Sequence, residues 1–338
     1  MTPQRLGFFT RLVRTDPAQD AATVYRHALE QVELAERLGY DTAWVAQHHL
    51  DPAEGGLPSP LVFLAHAAAR FPRIRLGTAI VTLALEDPIK LAEDAAVLDV
   101  LSGGRLELGV GAGGSRHAFE LFEFGAADRQ QVYADKLATV VAALRGAPLV
   151  GDRSLNPAAG QLSSRIWQAT FSAAGAARAG RAGDGLLLSK SQPRDPAAPE
   201  ATLWEIQNEL VDAYLDALPT GVEPRIGASR GVFVADDADA ARTLAEQGAL
   251  RFLEQLGHNG GPDIANTVAE VLRDIYVGTP GAVAAQLAAD SALRHATDFI
   301  VQVHPVDPGH EATLRSIELI ATEVAPQLGW HAEERIHA

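Results

Sequence analysis

The chain has 338 residues, 47% apolar and 21% charged, the balance of a folded globular protein and too hydrophobic for disorder. It has no cysteine and one methionine, Met1, which excludes disulfides, thiolate metal sites and a cysteine nucleophile. A balance of 28 Lys and Arg against 43 Asp and Glu gives a net charge of −15 with no basic block at either end, so nucleic acid and anionic membrane are poor partners.

No stretch approaches the roughly 20 apolar residues of a membrane-spanning helix, and the chain reads as soluble and cytoplasmic. Strand-length apolar runs alternate with helical patterns throughout, the signature of βα units. The first run is Arg5 to Thr10; a helix follows from Ala21 to Leu38, with Val24, Ala28, Val32, Ala35 and Leu38 at helical spacing and Gly39 ending it. Thr42 to Ala46 is a second strand, before a helix from about Ser59 to Arg70 with Pro60 in its first turn. Ile74 to Val81 is the third, with a helix from Pro88 that stops before Ser102-Gly103-Gly104. Leu106 to Val110 is the fourth and runs into Gly111-Ala112-Gly113-Gly114; after a long connection comes a helix from Arg129 to Leu144, then a loop over 146–164.

Ile166 to Ala169 pairs with a helix from Ala173 to Ala182, Gly185 to Leu188 with one from Leu203 to Leu218, and Ile226 to Ala235 with one from Ala238 to Leu256. Gly257 to Pro280 is rich in Gly, Pro and Asn and predicts an irregular insertion. A helix from Ala282 to Leu293, a last strand from Phe299 to Val303 and a helix from Glu311 to Ala325 complete the pattern. Eight parallel-type strands, each followed by a helix, predict one α/β domain over 1–338, a (β/α)₈ TIM barrel with the insertion at about 257–280. A doubly wound open sheet is the alternative, but it would carry a Gly-rich fingerprint after its first strand, where this chain has Arg11-Leu12-Val13-Arg14.

Barrel sites lie at the carboxyl ends of the strands. Those positions hold Gln47-His48-His49, Thr82, the run Gly111 to Gly114, Thr170-Phe171-Ser172 and Ser189-Lys190-Ser191-Gln192, which read as a neutral, hydrogen-bonding rim. No third histidine or carboxylate stands at ligand spacing from His48 and His49, so no metal is expected; one of the two packs under the following loop while the other faces the pocket. The glycine run serves either a tight turn or a close ligand. From Thr170 to Gly175 a strand gives way to an Ala-rich helix whose free N–H groups suit a phosphate, and Ser172 is equally suited to capping that helix.

Taken together, the motifs resemble the bacterial luciferase-like monooxygenases, flavin-dependent (β/α)₈ barrels. The resemblance rests on Gly39-Tyr40-Asp41-Thr42-Ala43-Trp44-Val45-Ala46-Gln47-His48-His49, on Arg75-Leu76-Gly77-Thr78-Ala79-Ile80, on Asp87-Pro88, and on Leu101-Ser102-Gly103-Gly104-Arg105 with the strand to Gly113. Gly180-Arg181-Ala182-Gly183-Asp184-Gly185 and Gly278-Thr279-Pro280 extend it.

The resemblance implies a non-prolyl cis peptide at Ala79-Ile80 under the flavin ring, a phosphate site on Phe171, Ser172 and the helix start to Gly175, and a pocket histidine at His48. Flavin contacts are expected from Gln47, Ala79, Ile80, Gly111, Ala112, Phe171, Ser172 and Gly175, with His48 in the catalytic role as proton donor or base. Gln47 replaces the family's usual glutamate, and Gly111 stands where light-emitting members carry a reactive cysteine, so light emission is not implied.

The activity implied is an FMN-dependent monooxygenase that uses reduced FMN and O₂ to oxygenate a small organic substrate, with electrons from NAD(P)H through a separate flavin reductase. Alternatives are hydride transfer by a deazaflavin, which a basic rim would favour, and a non-catalytic flavin-binding protein. A homodimer is implied through the helix from Pro60 to Arg70, with Val62 and Phe63 outside the barrel-facing positions. Substrate choice is expected from loops 111–128, 189–200 and 257–280, the last placed as a lid.

Overall fold

Parallel strands covered by helices are buried on both faces, which is why these strands read as continuous apolar runs. A computed structural model describes residues 5–50, 54–124, 128–258 and 267–330. Its strands are β1 (Arg5–Thr10), β2 (Thr42–Val45), β3 (Arg75–Thr78), β4 (Val81–Thr82), β5 (Leu106–Gly111), β6 (Ile166–Ala169), β7 (Gly185–Leu188), β8 (Ile226–Val234), β9 (Ile275–Gly278) and β10 (Asp298–Gln302). All pairings are parallel and follow chain order, with β4 continuing β3 along β5. β10 pairs with both β1 and β8, so the sheet closes into an eight-stranded barrel. The expected barrel is present and the open sheet is not.

The helices between strands are α1 (Ala21–Arg37), α2 (Pro60–Arg70), α3 (Pro88–Leu101), α4 (Arg116–Leu121), α5 (Arg129–Leu144), α6 (Ala173–Ala182), α7 (Leu203–Ala217), α8 (Ala238–His258), α9 (Val268–Leu272), α10 (Pro280–Ala289) and α11 (His310–Leu319). Short carboxylates set several starts: Asp20, Asp87 and Asp128 accept from the first free N–H groups of α1, α3 and α5. α11 runs on through a π-turn, Ile320–Val324.

Two tryptophans fill the barrel interior, Trp44 on β2 and Trp167 on β6, edge to face with centroids 5.7 Å apart. Room for them comes from glycine on the next strand: a Cβ on Gly77 or Gly185 would lie 2.2 Å from Cε3 of Trp44 or Trp167 respectively. Phe9, Ala46, Leu187 and Ile300 complete this layer, and Ala79, Ile80 and Ala169 rest on it, partly exposed. The mouth therefore has an apolar floor.

Several expectations shift. Within 257–280, α8 reaches His258, α9 carries a capping box from Thr267 and Glu270, and β9 pairs with β8, so the segment beyond 267 is regular. Residues 259–266 of the expected lid lie outside the described residues. The split is possible because β8 is long: Gly227–Gly231 faces β10, and Gly231–Val234 faces β9. A buried ion pair, Arg230 Nε to Asp290 Oδ2 at 2.6 Å, sits beside this junction, and Tyr276 Oη donates to the same carboxylate. The connection after β5 contains α4, capped by Ser115. Of the pair Val62 and Phe63 on α2, Phe63 is buried in its own barrel and Val62, 72% exposed, faces out.

Candidate functional site

The carboxyl ends of the strands assemble three zones. The first follows β3, where Ala79-Ile80 is a cis peptide as the resemblance implied. The Ala79 N–H donates to Val45 O at 2.7 Å, and Ile80 O accepts from Gln47 N–H at 3.1 Å, which locks this bend to the end of β2. Gly111 ends β5 against it, where a Cβ would come 2.5 Å from Ile80 Cδ1, and Ala112 follows, half-buried. The result is a flat apolar ledge with no side chain rising from Gly111.

The second zone is the start of α6. Ser172 caps the helix, its Oγ accepting from Gly175 N–H at 3.2 Å, and Thr170 Oγ1 accepts from Ser172 N–H at 3.2 Å. Gly175 is required here, since a Cβ would lie 2.1 Å from Thr170 Oγ1. Phe171 is 59% exposed, so its side chain leaves the backbone around it open to a ligand. Capping and an accessible helix amino terminus thus occur together.

The third zone holds Gln47, His48 and His49. The Gln47 amide is fully engaged: Nε2 donates to Glu86 Oε1 at 2.6 Å and to Pro58 O at 3.2 Å, while Oε1 accepts from Thr82 N–H at 2.7 Å. Its side chain braces loops. A carboxylate is still present beside this position, carried by Glu86. His48 lies at the mouth with Nδ1 3.8 Å from Glu54 Oε2. Burial, aided by Arg11, pushes its pKa down to about 4, so at neutral pH it is an uncharged imidazole that can accept a proton and has none to donate as a cation. His49 packs edge-on to Phe122 at 4.8 Å with Nε2 buried and unpartnered, which makes it the histidine under the loop.

The rim is charged, contrary to the neutral reading. Arg11 follows β1, Lys190 follows β7, and His304 and Asp307 follow β10. Arg11 Nε donates to Glu54 O at 2.9 Å; His304 Nδ1 and Asp307 Oδ2 are 2.7 Å apart. Burial lowers the pKa of Arg11, of Lys190 to about 8, and of His304 to about 4, while His304 and nearby cations hold Asp307 down. Arg11, Lys190, His48 and Asp307 are deep enough for burial to dominate or oppose their charge, yet each keeps partial solvent access. One cavity, which runs on between α1 and α11 to His27 and His310, is lined by Arg11, His304 and Asp307. Each stands within a few residues of a strand end, the one signal in the sequence that points to them.

One further cluster, His27, Glu30 and His310, joins α1 to α11 outside the mouth. His310 Nε2 and Glu30 Oε2 are 2.7 Å apart, and the two imidazoles stack with centroids at 3.8 Å and planes 6° apart. Ring lone pairs lie in the ring plane, so parallel rings do not aim them at a common ion, and the cluster reads as a clamp between helices.

The chain matches the family model described as luciferase-like monooxygenase over residues 5–297. It is 26% identical to limonene 1,2-monooxygenase of Rhodococcus erythropolis over 91% of this chain and 82% of that protein. It is 31% identical to the oxygenase component of flavin-dependent trigonelline monooxygenase of Acinetobacter baylyi, over 34% of this chain and 32% of that one. Several matches are partial: against a 34% identical protein of Sinorhizobium fredii the chain spans about half of that relative's length, 51%. Among solved structures, monooxygenase RslO1 of Streptomyces bottropensis superposes with a TM-score of 0.78 at 26% identity, covering 96% of this chain and 100% of that one. The barrel with its bent β3 end and the match over most of its length agree: the chain belongs to the luciferase-like monooxygenase family.

Proposed function

We propose that the protein is a flavin-dependent monooxygenase that takes FMN in its reduced form and oxygenates a small organic substrate with O₂. The observation that carries this reading is the pairing, across one barrel mouth, of an apolar ledge at Ala79, Ile80, Gly111 and Ala112 with an accessible helix start at Thr170 to Gly175. The ledge suits a flat ring system, and the N–H groups of α6, with the Ser172 hydroxyl, suit a phosphate. When bound and reduced, flavin supplies O₂ activation and transfer of one oxygen atom.

The protein's own part is to place, shield and exchange protons. The Trp44 and Trp167 layer keeps the floor of the mouth dry. His48, neutral and with Nδ1 turned to Glu54, accepts a proton at Nε2 from substrate. Gln47 and Glu86 hold the loop that carries it. Electrons come from NAD(P)H through a separate flavin reductase, in keeping with the trigonelline relative's being named an oxygenase component. Two copies associate through α2 and α3, whose exposed Val62, Val97, Val100 and Leu101 form an apolar face.

Anaerobic titration with reduced FMN, followed by oxygen uptake with NAD(P)H and a flavin reductase, tests the reading. Micromolar binding of reduced FMN and reductase-dependent uptake are expected. Preference for a deazaflavin, with no response to O₂, would replace it with hydride transfer, and flavin binding without turnover on any substrate would leave a carrier.

A further inference from the structure

The barrel wall opposite the ledge carries a polar pair. Ile300 on β10 belongs to the interior layer with Trp44, Trp167 and Leu187, and a Cβ on Gly227 of β8 would lie 2.8 Å from Leu187 and 3.2 Å from Ile300, so both positions face inward. Side chains alternate along a strand, and the residues two further on, Gln302 on β10 and Ser229 on β8, therefore face inward as well, one step nearer the mouth. They meet there, Gln302 Nε2 donating to Ser229 Oγ at 2.8 Å. The two residues are only 3% and 8% exposed, and among the described residues nothing completes their hydrogen bonding. Gln302 Oε1 is buried without a donor, and the Ser229 hydroxyl, which accepts from Gln302, has no acceptor for its own hydrogen. Turning the amide over exchanges the two roles and leaves the same remainder, one open acceptor beside one open donor. Such a remainder is costly in an apolar layer unless a ligand fills it.

We propose that Gln302 and Ser229 hold a hydroxyl of the organic substrate, so that the enzyme acts on a neutral alcohol or phenol bound by that group. Oε1 and Nε2 belong to one amide and Nε2 touches Ser229 Oγ, so the open acceptor and the open donor are neighbours, and one oxygen carrying one hydrogen fills both. A carboxylate or an ether brings acceptors only and an ammonium donors only, and each leaves one position unfilled. This rests on the flavin reading, which gives the ends of β3 and β5 to the cofactor. In the ring of eight, three strands separate β10 from β5 on either side and three separate β8 from β3, so the pair stands across the barrel from Gly111 and Ala79. Phe9 on β1 and Leu187 on β7, the adjoining strands, line the interior beside it and suit the hydrocarbon part of the substrate. The same chemistry is offered by the flavin ring edge, with its N–H between two carbonyls, and by a fixed water; the three are separable.

The test uses the whole protein, flavin-free and FMN-loaded, with phenol, anisole and toluene as probes. Their shapes are close, but phenol both donates and accepts, anisole only accepts and toluene does neither. Calorimetric titration reads affinity, and the thermal midpoint reads the fold. Wild type should bind phenol more tightly than anisole. In the double variant Ser229→Ala/Gln302→Met, where both polar groups give way to apolar ones, the ratio of phenol to anisole affinity should fall about tenfold or more while toluene binds at least as well. The ligand-free midpoint of that variant should match or exceed wild type, because an unpaired buried acceptor is removed, whereas Ser229→Ala alone strands the whole amide and should melt lower. A wild type indifferent between phenol and anisole, or a double variant that keeps the preference, overturns the proposal and leaves the pair to a fixed water; the wild-type comparison stands without any variant. If the double variant weakens riboflavin but not 3-methylriboflavin, whose ring N–H is blocked, the partner is the flavin edge and the substrate assignment fails. Phenol binding to flavin-free protein is read whether or not flavin binds, so failure of the flavin reading is seen separately.

Discussion

Nε2 of Gln47 donates to Oε1 of Glu86 across 2.6 Å, tying the end of β2 to the loop that enters α3. The same loop is gripped from the other side by Lys136, whose Nζ donates to Ala84 O and Glu86 O. Restoring a glutamate by Gln47→Glu would set two carboxylates in contact at a buried position. Such a pair shares a proton, its folded-state pKa is raised, and stability is lost as pH rises through that value. Gln47→Glu is expected to match wild type near pH 5 and to be weaker by about 1–3 kcal/mol at pH 8. Urea unfolding at the two pH values checks this; an equal deficit at both would mean the carboxylates do not interact.

Ser172→Asp keeps a good helix cap and adds a negative charge where the phosphate is proposed to sit. FMN binding should weaken by roughly tenfold or more while riboflavin is little affected, and the melting temperature should hold. Fluorescence titration of both ligands against both proteins decides; equal losses would remove the phosphate from α6.

Acid should reveal the neutral histidines. His48 and His304 are pushed down to about 4 in the fold, whereas the unfolded chain takes up protons near the ordinary histidine value. Below about 6.5 the unfolded state therefore binds more protons, and stability falls as pH falls until the folded pKa is reached. Between pH 6.5 and 5 each histidine should remove roughly 1–2 kcal/mol. His48→Gln and His304→Gln should each flatten that slope in calorimetry. An unchanged slope would show the imidazoles to be already charged in the fold.

The apolar face of α2 and α3 predicts a mass near twice 35.8 kDa by light scattering at micromolar concentration. Val62→Asp, on a side chain that touches little of its own barrel, should shift the protein to monomer without lowering intrinsic fold stability by more than about 0.5 kcal/mol. A wild-type monomer would reject the dimer.

Most of the barrel was legible because each βα unit writes its own pattern. β1 and the helices α5 and α6 fall at their expected bounds, set by local apolar spacing and by Asp128 and Ser172 as caps. Ile275 to Gly278 was not legible as a strand: four residues inside a Gly- and Pro-rich stretch carry no periodicity, and they pair only because β8 extends past the barrel. The site divided the same way. Gln47 to His49, the β3 bend and the α6 start are contiguous motifs. Arg11, His304 and Asp307 line one cavity only because β10 pairs with β1, and no short sequence window contains all three. That Gln47 would be consumed by Glu86 and Thr82 also depends on closure, since its partners lie up to 39 residues away.

The nine residues of β8 serve two neighbours in succession, β10 along the first half and β9 along the second. On this strand the closing register is carried by Gly227 to Gly231, and β9 takes over at Gly231, the one residue both neighbours share. The stretch between β8 and β10 behaves as a cassette spliced onto the wall: residues added to it or taken from it leave the ring of eight strands in step. Loop grafting at this seam should therefore exchange the mouth's covering while the barrel beneath keeps its geometry.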